Sequence, residues 1–186
     1  MSRYWFPKRY ADFAQRLRAP SGFVLAAALV YWARPTAQSI AWGAPISLLG
    51  ILLRGWAAGH LAKNRRLAVS GPYALTRNPL YWGTALAAAG MVVASRHLGL
   101  AALFAAAFGL VYLPAIELEE QHLRELFPEY EDYARKVPRL GLRAPRQTRE
   151  EPFRLALYRE NEEYKAAAAF LIGMALLAWK VSLSQP

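Results

Sequence analysis

The chain has 186 residues, 55% of them hydrophobic, and a formal net charge of +10. It contains no cysteine, which excludes disulfide bonds, zinc sites built on thiolates and cysteine nucleophiles. No groove-reading motif accompanies the positive charge, so nucleic acid is not an expected partner. The hydrophobic residues stand in unbroken blocks with the charges between them, which is typical of membrane spans. We therefore expect an all-α, polytopic integral membrane helix bundle.

Residues 1–19 precede the first hydrophobic block. This stretch, MSRYWFPKRYADFAQRLRA, is charged and aromatic throughout and lacks the hydrophobic core of a cleavable signal peptide. It predicts an amphipathic helix that lies in the membrane interface.

Five hydrophobic blocks follow, at residues 21–33, 40–62, 80–94, 98–116 and 166–183. The second and fourth can cross about 30 Å of hydrocarbon unaided, and flanking Tyr, Trp and Lys residues can complete the other three. This predicts about five transmembrane helices in one domain, 1–186. Its predicted parts are spans 1 and 2 within 20–62, a cytosolic hairpin at 63–79, spans 3 and 4 within 80–116, a cytosolic segment at 117–165 and span 5 at 166–183.

The distribution of basic residues predicts the orientation. With the amino terminus in the cytosol, 19 of the 23 Lys and Arg residues lie inside and three lie outside, while Arg54 stays within a span. The hairpin and the segment at 117–165 then share the cytosolic face. The net charge of +10 is explained by this topology and by contact with anionic lipids.

The hairpin contains the stretch SGPYALTRNPLYWG, residues 70–83. Gly71 and Pro72 predict a turn, and Pro79 can occupy the first turn of the third span with Asn78 as its N-cap. Free amide groups at this helix end suit a carboxylate or a phosphate. The alternative is that the stretch is a well-capped start of a span and nothing more.

Two neighbouring carboxylates follow the fourth span. Glu120 stands four residues before Arg124, a spacing that predicts an ion pair, which could be solvated. Carboxylates at the end of a span are costly unless they face water or a partner, so Glu119 is expected to point toward the bundle or a ligand, or to pair with a neighbouring arginine. Its helix face is shared with Leu123, Phe127 and Tyr130.

The carboxyl-terminal part has two further features. Residues 139–152, RLGLRAPRQTREEP, are linker-like. The stretch ENEEYK, residues 160–165, indicates an acidic helix start of the ordinary kind, and it could alternatively help to close an acceptor site.

Two stretches together carry a family resemblance. LRGWAAGHLAKNRRLAVSGPYALTRNPLYWG, residues 53–83, and EEQHLRELFPEYEDYARKVPRL, residues 119–140, resemble the isoprenylcysteine carboxyl methyltransferase and phospholipid methyltransferase superfamily of integral membrane enzymes. The shared series is a Gly-x-Tyr turn, an Arg-Asn-Pro-x-Tyr start of a span, an acid pair, a Tyr-x-x-Tyr motif and Val-Pro.

The resemblance implies a cytosol-facing pocket for S-adenosylmethionine and a lipophilic methyl acceptor that enters from the bilayer. It implies Glu119 as the ligand of the cofactor's ammonium or ribose hydroxyls, Glu120 and Arg77 as candidate catalytic residues, and no metal. Methyl transfer gains mainly from positioning and desolvation, so no catalytic triad is required. The implied cofactor-binding residues are Leu67, Ala68, Tyr73, Asn78, Pro79, Leu80, Tyr81, Glu119 and, with a plain interfacial role as its alternative, His60.

Three departures from the family pattern bear on the acceptor. Asn78 stands where histidine is usual, Pro128 where glycine is usual, and Ala115 where the isoprenylcysteine branch has the arginine thought to hold the substrate carboxylate. A prenylcysteine carboxylate is therefore not favoured. The alternatives are a phospholipid N-methyltransferase, a non-catalytic membrane subunit that kept the scaffold, and a sterol or steroid reductase that would bind NADPH.

Overall fold

The computed structural model describes residues 5–142 and 151–183. Within these ranges the chain is helical and forms no β-strand, which confirms the all-α prediction. The helices are α1 (Lys8–Trp32), α2 (Ala37–Ala58), α3 (Pro79–Ser95), α4 (Leu98–Ala107), α5 (Leu113–Leu126), α6 (Tyr130–Lys136), α7 (Leu155–Glu160) and α8 (Tyr164–Leu183). A 3₁₀ turn, Gly71–Ala74, lies in the hairpin, and a π-helical turn, Phe108–Tyr112, joins α4 to α5.

Three helices are long and apolar enough to cross a membrane. They are α2, the continuous helix Leu98–Leu126 that contains α4 and α5, and α8. The apolar helix α3 has 17 residues, and the predicted first span is the second half of α1. Membrane character is therefore supported, while the count of five spans and the cytosolic placement of the amino terminus stay predictions.

Helix α1 combines two segments that the sequence analysis predicts as separate elements. The predicted interfacial helix and the predicted first span form one helix, which continues through Pro20. Proline removes a hydrogen bond inside a helix and strains it, but α1 packs against α5 and the π-helical turn. Ala11 and Ala14 are buried at that contact side, and Tyr10 Oη donates to the Leu110 carbonyl over 2.6 Å. These tertiary contacts offset the local cost of Pro20.

Helices α2 and α3 pack closely along their length because small residues face each other. A Cβ on Gly50 would lie 2.3 Å from the Ala87 backbone nitrogen, and one on Gly90 would lie 2.3 Å from Ser47 Oγ. Ser47 Oγ donates to the Ala87 carbonyl over 2.7 Å. Small residues at such a contact let two backbones approach inside a membrane. The pair fixes the start of α3 relative to the end of α2, and the candidate site lies at that end.

The predicted linker at 139–152 falls mainly on residues 143–150, which lie outside the described residues. Beyond it, the chain returns to the bundle. The Arg154 amide donates to the Gly59 carbonyl over 2.9 Å, and Asn161 Nδ2 donates to the Ala58 and Leu61 carbonyls over 3.0 and 2.9 Å. The segment before α8 is thereby attached to the carboxyl end of α2.

Candidate functional site

A polar cavity of about 500 Å³ lies where the first half of α1, the hairpin, α5 and α6 meet. Eight of the nine predicted cofactor-binding residues line it; His60 does not. The eight are Leu67, Ala68, Tyr73, Asn78, Pro79, Leu80, Tyr81 and Glu119.

The hairpin is held in shape by a glycine and a histidine. Gly71 has a φ of +58°, and a Cβ there would lie 2.7 Å from His60 Nε2, so both the backbone conformation and the space favour glycine. The His60 ring nitrogens contact the carbonyl oxygens of Trp56 and Glu151, at 2.9 and 3.2 Å. His60 therefore lies beneath the hairpin, and its predicted cofactor contact stays a prediction that the geometry does not favour.

Buried tyrosines join α6 to the hairpin. Tyr133 Oη donates to the Tyr73 carbonyl over 2.7 Å. Burial raises the pKa of the Tyr73, Tyr130 and Tyr133 phenols above the ordinary value, because a phenolate loses its hydration in such a place. All three stay protonated at neutral pH and can donate hydrogen bonds.

Glu119 forms the centre of a second network, on the cavity wall. It accepts a hydrogen bond from Tyr81 Oη over 2.8 Å, and Arg18 Nη1 donates to the same hydroxyl over 2.9 Å. The tyrosine therefore connects a carboxylate to a guanidinium that comes from α1. Glu119 is half-buried and keeps one carboxylate oxygen that none of the hydrogen bonds to described residues occupies, so it can accept a ligand's hydrogen-bond donor.

Glu120 occupies a different environment from its neighbour. It is 1% exposed and is surrounded by three arginines, with closest N···O distances of 2.8 Å to Arg139, 3.4 Å to Arg77 and 4.0 Å to Arg124. The predicted pairing with Arg124 is present, but the interpretation of Glu120 as a solvated residue is wrong. Helix α6 and the chain leading to Arg139 cover this face of α5, which periodicity alone does not reveal.

Asn78 also contacts this carboxylate. It occupies the N-cap position of α3 with Pro79 as the first helical residue, as predicted, but its side chain makes no capping hydrogen bond. Its Nδ2 donates to Glu120 Oε1 over 3.1 Å and to the Arg139 carbonyl over 3.2 Å. A hydrogen bond to a carboxylate is stronger than one to a neutral acceptor. The Asn78 side chain therefore binds the buried Glu120 and does not cap α3.

The two candidate catalytic residues differ in their access to the cavity. Arg77 lines it, whereas Glu120 is not among the lining residues. Glu120 holds Arg77 and Asn78 in place from behind the wall. Its geometry supports a positioning role, and a direct role for either residue in catalysis stays a prediction.

Sequence reasoning missed the contribution of α1. Lys8, Gln15 and Arg18 line the cavity, and with buried Ala11 they recur at helical spacing on one face. That spacing was the available signal, but the segment was assigned to the membrane interface. Within the described residues, Gln15 Oε1 and Arg77 Nε are buried without a hydrogen-bond partner. These two atoms have essentially no accessible surface, so they lie behind the cavity wall and do not face its space.

The start of α1 is attached to α5 by a further buried acid. Glu117 is 0% exposed and accepts the backbone amides of Trp5 and Phe6 over 2.5 and 2.9 Å. The guanidinium of Arg139 lies 4.2 Å from the centre of the Trp5 ring, a cation–π distance. The amino-terminal segment, α5 and the segment that follows α6 are therefore joined to one another.

Metal ligands do not cluster in the parts of the chain that the structure describes. No group of three or more His, Asp or Glu residues there could hold a metal ion.

Comparisons with known proteins identify the family. The model of the phospholipid methyltransferase family matches residues 40–130. The cobalt-zinc-cadmium resistance protein CzcN of Cupriavidus metallidurans is 33% identical over 154 residues, which are 77% of this chain and 66% of that protein. The nickel-cobalt-cadmium resistance protein NccN of Alcaligenes xylosoxydans xylosoxydans is 34% identical over 99 residues, 50% of this chain and 46% of that protein.

The chain thus spans about two thirds of the first relative's length and less than half of the second's. No solved structure matches it. The family match includes the hairpin, α3, Glu119 and Glu120, and it confirms the resemblance on which the site prediction depended. Residues 40–130 match the phospholipid methyltransferase family, within the superfamily that also contains the isoprenylcysteine carboxyl methyltransferases.

Proposed function

We propose that the protein transfers a methyl group from S-adenosylmethionine to a lipophilic acceptor, with the cofactor held in the polar cavity at the cytosolic face of the membrane. The observation that carries this proposal is the convergence on one cavity of Glu119, Tyr81, Gln15 and Arg77. Family membership supports methyltransferase chemistry.

The polar groups on the cavity wall suit the two ends of an amino acid moiety. The carboxylate oxygen of Glu119 that no described residue occupies can accept from an ammonium, and the positive charge of Arg77 favours a carboxylate nearby. Leu67, Ala68 and Leu80 supply apolar surface beside these groups. When bound, the cofactor supplies an electrophilic methyl group on a positively charged sulfur.

The residues of the chain then act by positioning and by excluding water. Tyr81 fixes the orientation of Glu119, and Glu120 fixes Arg77 and Asn78. The segment after α5 and the start of α1 form part of the cavity wall and reduce the access of water to a bound ligand. In-line methyl transfer depends mainly on such alignment and desolvation, so the absence of an acid–base triad at the site is consistent with the proposed reaction.

The test is equilibrium binding of radiolabelled S-adenosylmethionine to the full chain in detergent. We expect saturable binding that NADPH does not displace, and a loss of affinity of at least about tenfold in Glu119→Gln, because a bond to a charged group contributes about 1.5–3 kcal/mol. Glu129→Gln is the matched control, since Glu129 is exposed and does not line the cavity.

Other outcomes would contradict the proposal in distinct ways. A folded wild-type protein that binds no S-adenosylmethionine would favour the non-catalytic subunit, and displacement by NADPH would favour a reductase. An equal loss of affinity in Glu119→Gln and Glu129→Gln would show that the cofactor does not bind in this cavity. Once binding is established, methyl transfer to extracted membrane lipids identifies the acceptor class.

A further inference from the structure

A second ion pair lies outside the polar cavity, between two helices of the bundle. Arg54, one turn before the end of α2, pairs with Glu163 at the start of α8 through Nε and Nη2, at 2.5 and 3.0 Å. The side chain of Glu163 is 7% exposed and that of Arg54 is 24% exposed. A charged residue within a membrane helix is costly unless it serves a site. The acidic stretch ENEEYK therefore supplies a tertiary ion-pair partner, Glu163, in addition to lying at the start of a helix.

The guanidinium is held on a second side by α3. Arg54 Nη1 donates to the Leu80 carbonyl over 3.3 Å and contacts the Thr84 hydroxyl. With Glu163, these contacts engage four of the five guanidinium N–H groups, and they leave one on Nη2. Arg54 is thus fixed in orientation, and its pair with Glu163 has no net charge.

Arg54 and Thr84 are the polar residues at one end of an apolar cleft of about 340 Å³, formed by α1, α2, α3, α4 and α8. The other lining residues are apolar or glycine, among them Leu29, Met91, Phe104 and Phe170. Gly22, Ala26 and Ala169 line the cleft and are also exposed on the flank of the bundle. The cleft therefore opens sideways, toward the region that lipid occupies around membrane helices.

Leu80 connects the cleft with the polar cavity. It lines the polar cavity, and its carbonyl accepts the hydrogen bond from Arg54, which lines the cleft. The polar end of the cleft and the wall of the cavity are thus two sides of the same turn of α3. A hydrocarbon chain in the cleft would bring its head group to Arg54, next to the cavity.

We propose that this cleft binds the hydrocarbon chain of a single-chain lipid, and that Arg54, oriented by Glu163 and aided by Thr84, binds an oxygen-bearing head group such as a carboxylate or a hydroxyl. The assignment of the cleft as the acceptor site of the methyl transfer rests on the proposed function, whereas its assignment as a lipid-binding site does not. The pair also supplies an arginine near the acceptor where this chain has Ala115 in place of the family's arginine.

The head group follows from the groups that face the cleft. Arg54 lines it and Glu163 does not, so the ligand meets the guanidinium and not the carboxylate; the Thr84 hydroxyl already donates to the Leu80 carbonyl over 2.9 Å. An ammonium would face a guanidinium of like charge in a medium of low dielectric constant, which is unfavourable. The site therefore selects an oxygen acceptor over an amine, and this separates it from the phospholipid amine that the family name suggests.

The test is photolabelling of the full chain in nanodiscs of phosphatidylcholine. Three diazirine probes share one alkyl chain and end in a carboxylate, a hydroxyl or an ammonium, and labelled peptides are identified by mass spectrometry. We expect the carboxylate and hydroxyl probes to label α3 and α8 around Met91 and Phe170, and the ammonium probe to label these peptides far less. The ratio of carboxylate to hydroxyl labelling tells which oxygen head group the site prefers.

Two variants remove the site by different routes. Arg54→Gln with Glu163→Gln removes both charges at once, and we expect labelling by the oxygen probes to fall at least about tenfold, since hydrogen bonds to a charged donor are lost. Its control is Arg65→Gln with Glu160→Gln, an exposed ion pair nearby. Ala169→Phe fills the cleft and should also block labelling, whereas Ala168→Phe, exposed and outside the cleft lining, should not.

S-adenosylmethionine binding measured on the same samples separates the two proposals. Labelling by the carboxylate and hydroxyl probes without cofactor binding would support the lipid site and contradict the methyltransferase proposal. Cofactor binding with no labelling of α3 or α8 would overturn the lipid site alone. Equal labelling by the ammonium probe, or labelling unchanged in both Ala169→Phe and the double variant, would also overturn it.

Discussion

The two buried ion clusters of this protein differ in how their charges balance. Around Glu120, one carboxylate meets three arginines, and Arg124 also pairs with Glu131 at 2.7 Å, so the cluster carries one surplus positive charge beside the polar cavity. Around Arg54, one guanidinium meets one carboxylate, and the remaining contacts are a carbonyl and a hydroxyl. The first cluster lies where the helices end, and the second lies between helices that are apolar enough to span a membrane.

This difference shows how location determines the permitted charge. Near the helix ends, water and a charged ligand can offset a surplus, so the Glu120 cluster can hold Arg77 ready for an anionic group. Between membrane helices an unbalanced charge is far more costly, so Arg54 is neutralised by its own partner and can act as a fixed hydrogen-bond donor. The charged end of a ligand suits the first cluster, and a lipid head group suits the second.

The largest effect is expected for Glu120→Gln. The change leaves Arg77 and Arg139 without the carboxylate that compensates them, while Arg124 keeps its pair with Glu131, and breaking a buried ion pair in this way costs about 3–5 kcal/mol. Chemical unfolding in a fixed detergent should show this loss in the free energy of unfolding, with weaker S-adenosylmethionine binding. A loss no larger than that of the exposed Glu129→Gln would mean that the three arginines do not depend on Glu120.

A smaller effect is expected for Glu163→Gln, which leaves Arg54 unpaired. Because Arg54 is 24% exposed and keeps its contacts to Leu80 and Thr84, we expect a loss of about 2–3 kcal/mol, below the range for a fully buried pair. The double variant Arg54→Gln, Glu163→Gln should lose less than the single variant, since removing both charges leaves none uncompensated. Unfolding of both in the same detergent tests this, and a double variant that is less stable than the single one contradicts it.

Tyr81→Phe should affect binding more than stability. The phenol connects Glu119 with Arg18, and its removal frees the carboxylate to rotate while the ring stays in place. We expect S-adenosylmethionine affinity to fall about tenfold, as for a lost hydrogen bond to a charged group, with the unfolding midpoint nearly unchanged. Isothermal binding measurements test this. The control is Tyr31→Phe, because Tyr31 on α1 is 83% exposed, and its affinity should not change.

The smallest effect is expected for the exposed pair of Arg65 and Glu160. Their side chains are 59% and 57% exposed, and such pairs contribute about 0–1 kcal/mol. Arg65→Gln should therefore leave both cofactor binding and the unfolding free energy close to those of the wild type, and increasing salt should remove any remaining difference. A loss as large as that of Glu163→Gln would mean that burial does not explain the contrast between the ion pairs.

The family resemblance implied Tyr73, Tyr81 and Glu119 as cofactor-binding residues, and the structure places all three on the wall of one cavity. Local pattern indicated only the turn and the start of α3, where a glycine and prolines restrict the backbone. Asn78 occupies the predicted N-cap position but makes no capping bond, and the predicted ion pair of Glu120 is present but buried. The segment that makes these contacts lies more than fifty residues from Asn78, so no local pattern could reveal it.

The sequence alone determined that the chain is helical and membrane-like, and that a polar, turn-rich hairpin separates two of its hydrophobic blocks, because unbroken hydrophobic blocks and turn residues act locally. Only the tertiary structure decided which charges meet. Arg18 reaches Tyr81 across 63 positions, and Arg54 reaches Glu163 across 109. No periodicity links positions so far apart; tertiary packing, such as that of α8 against α2, brings them together, and the cost of leaving a charge unpaired among apolar helices then selects the partner.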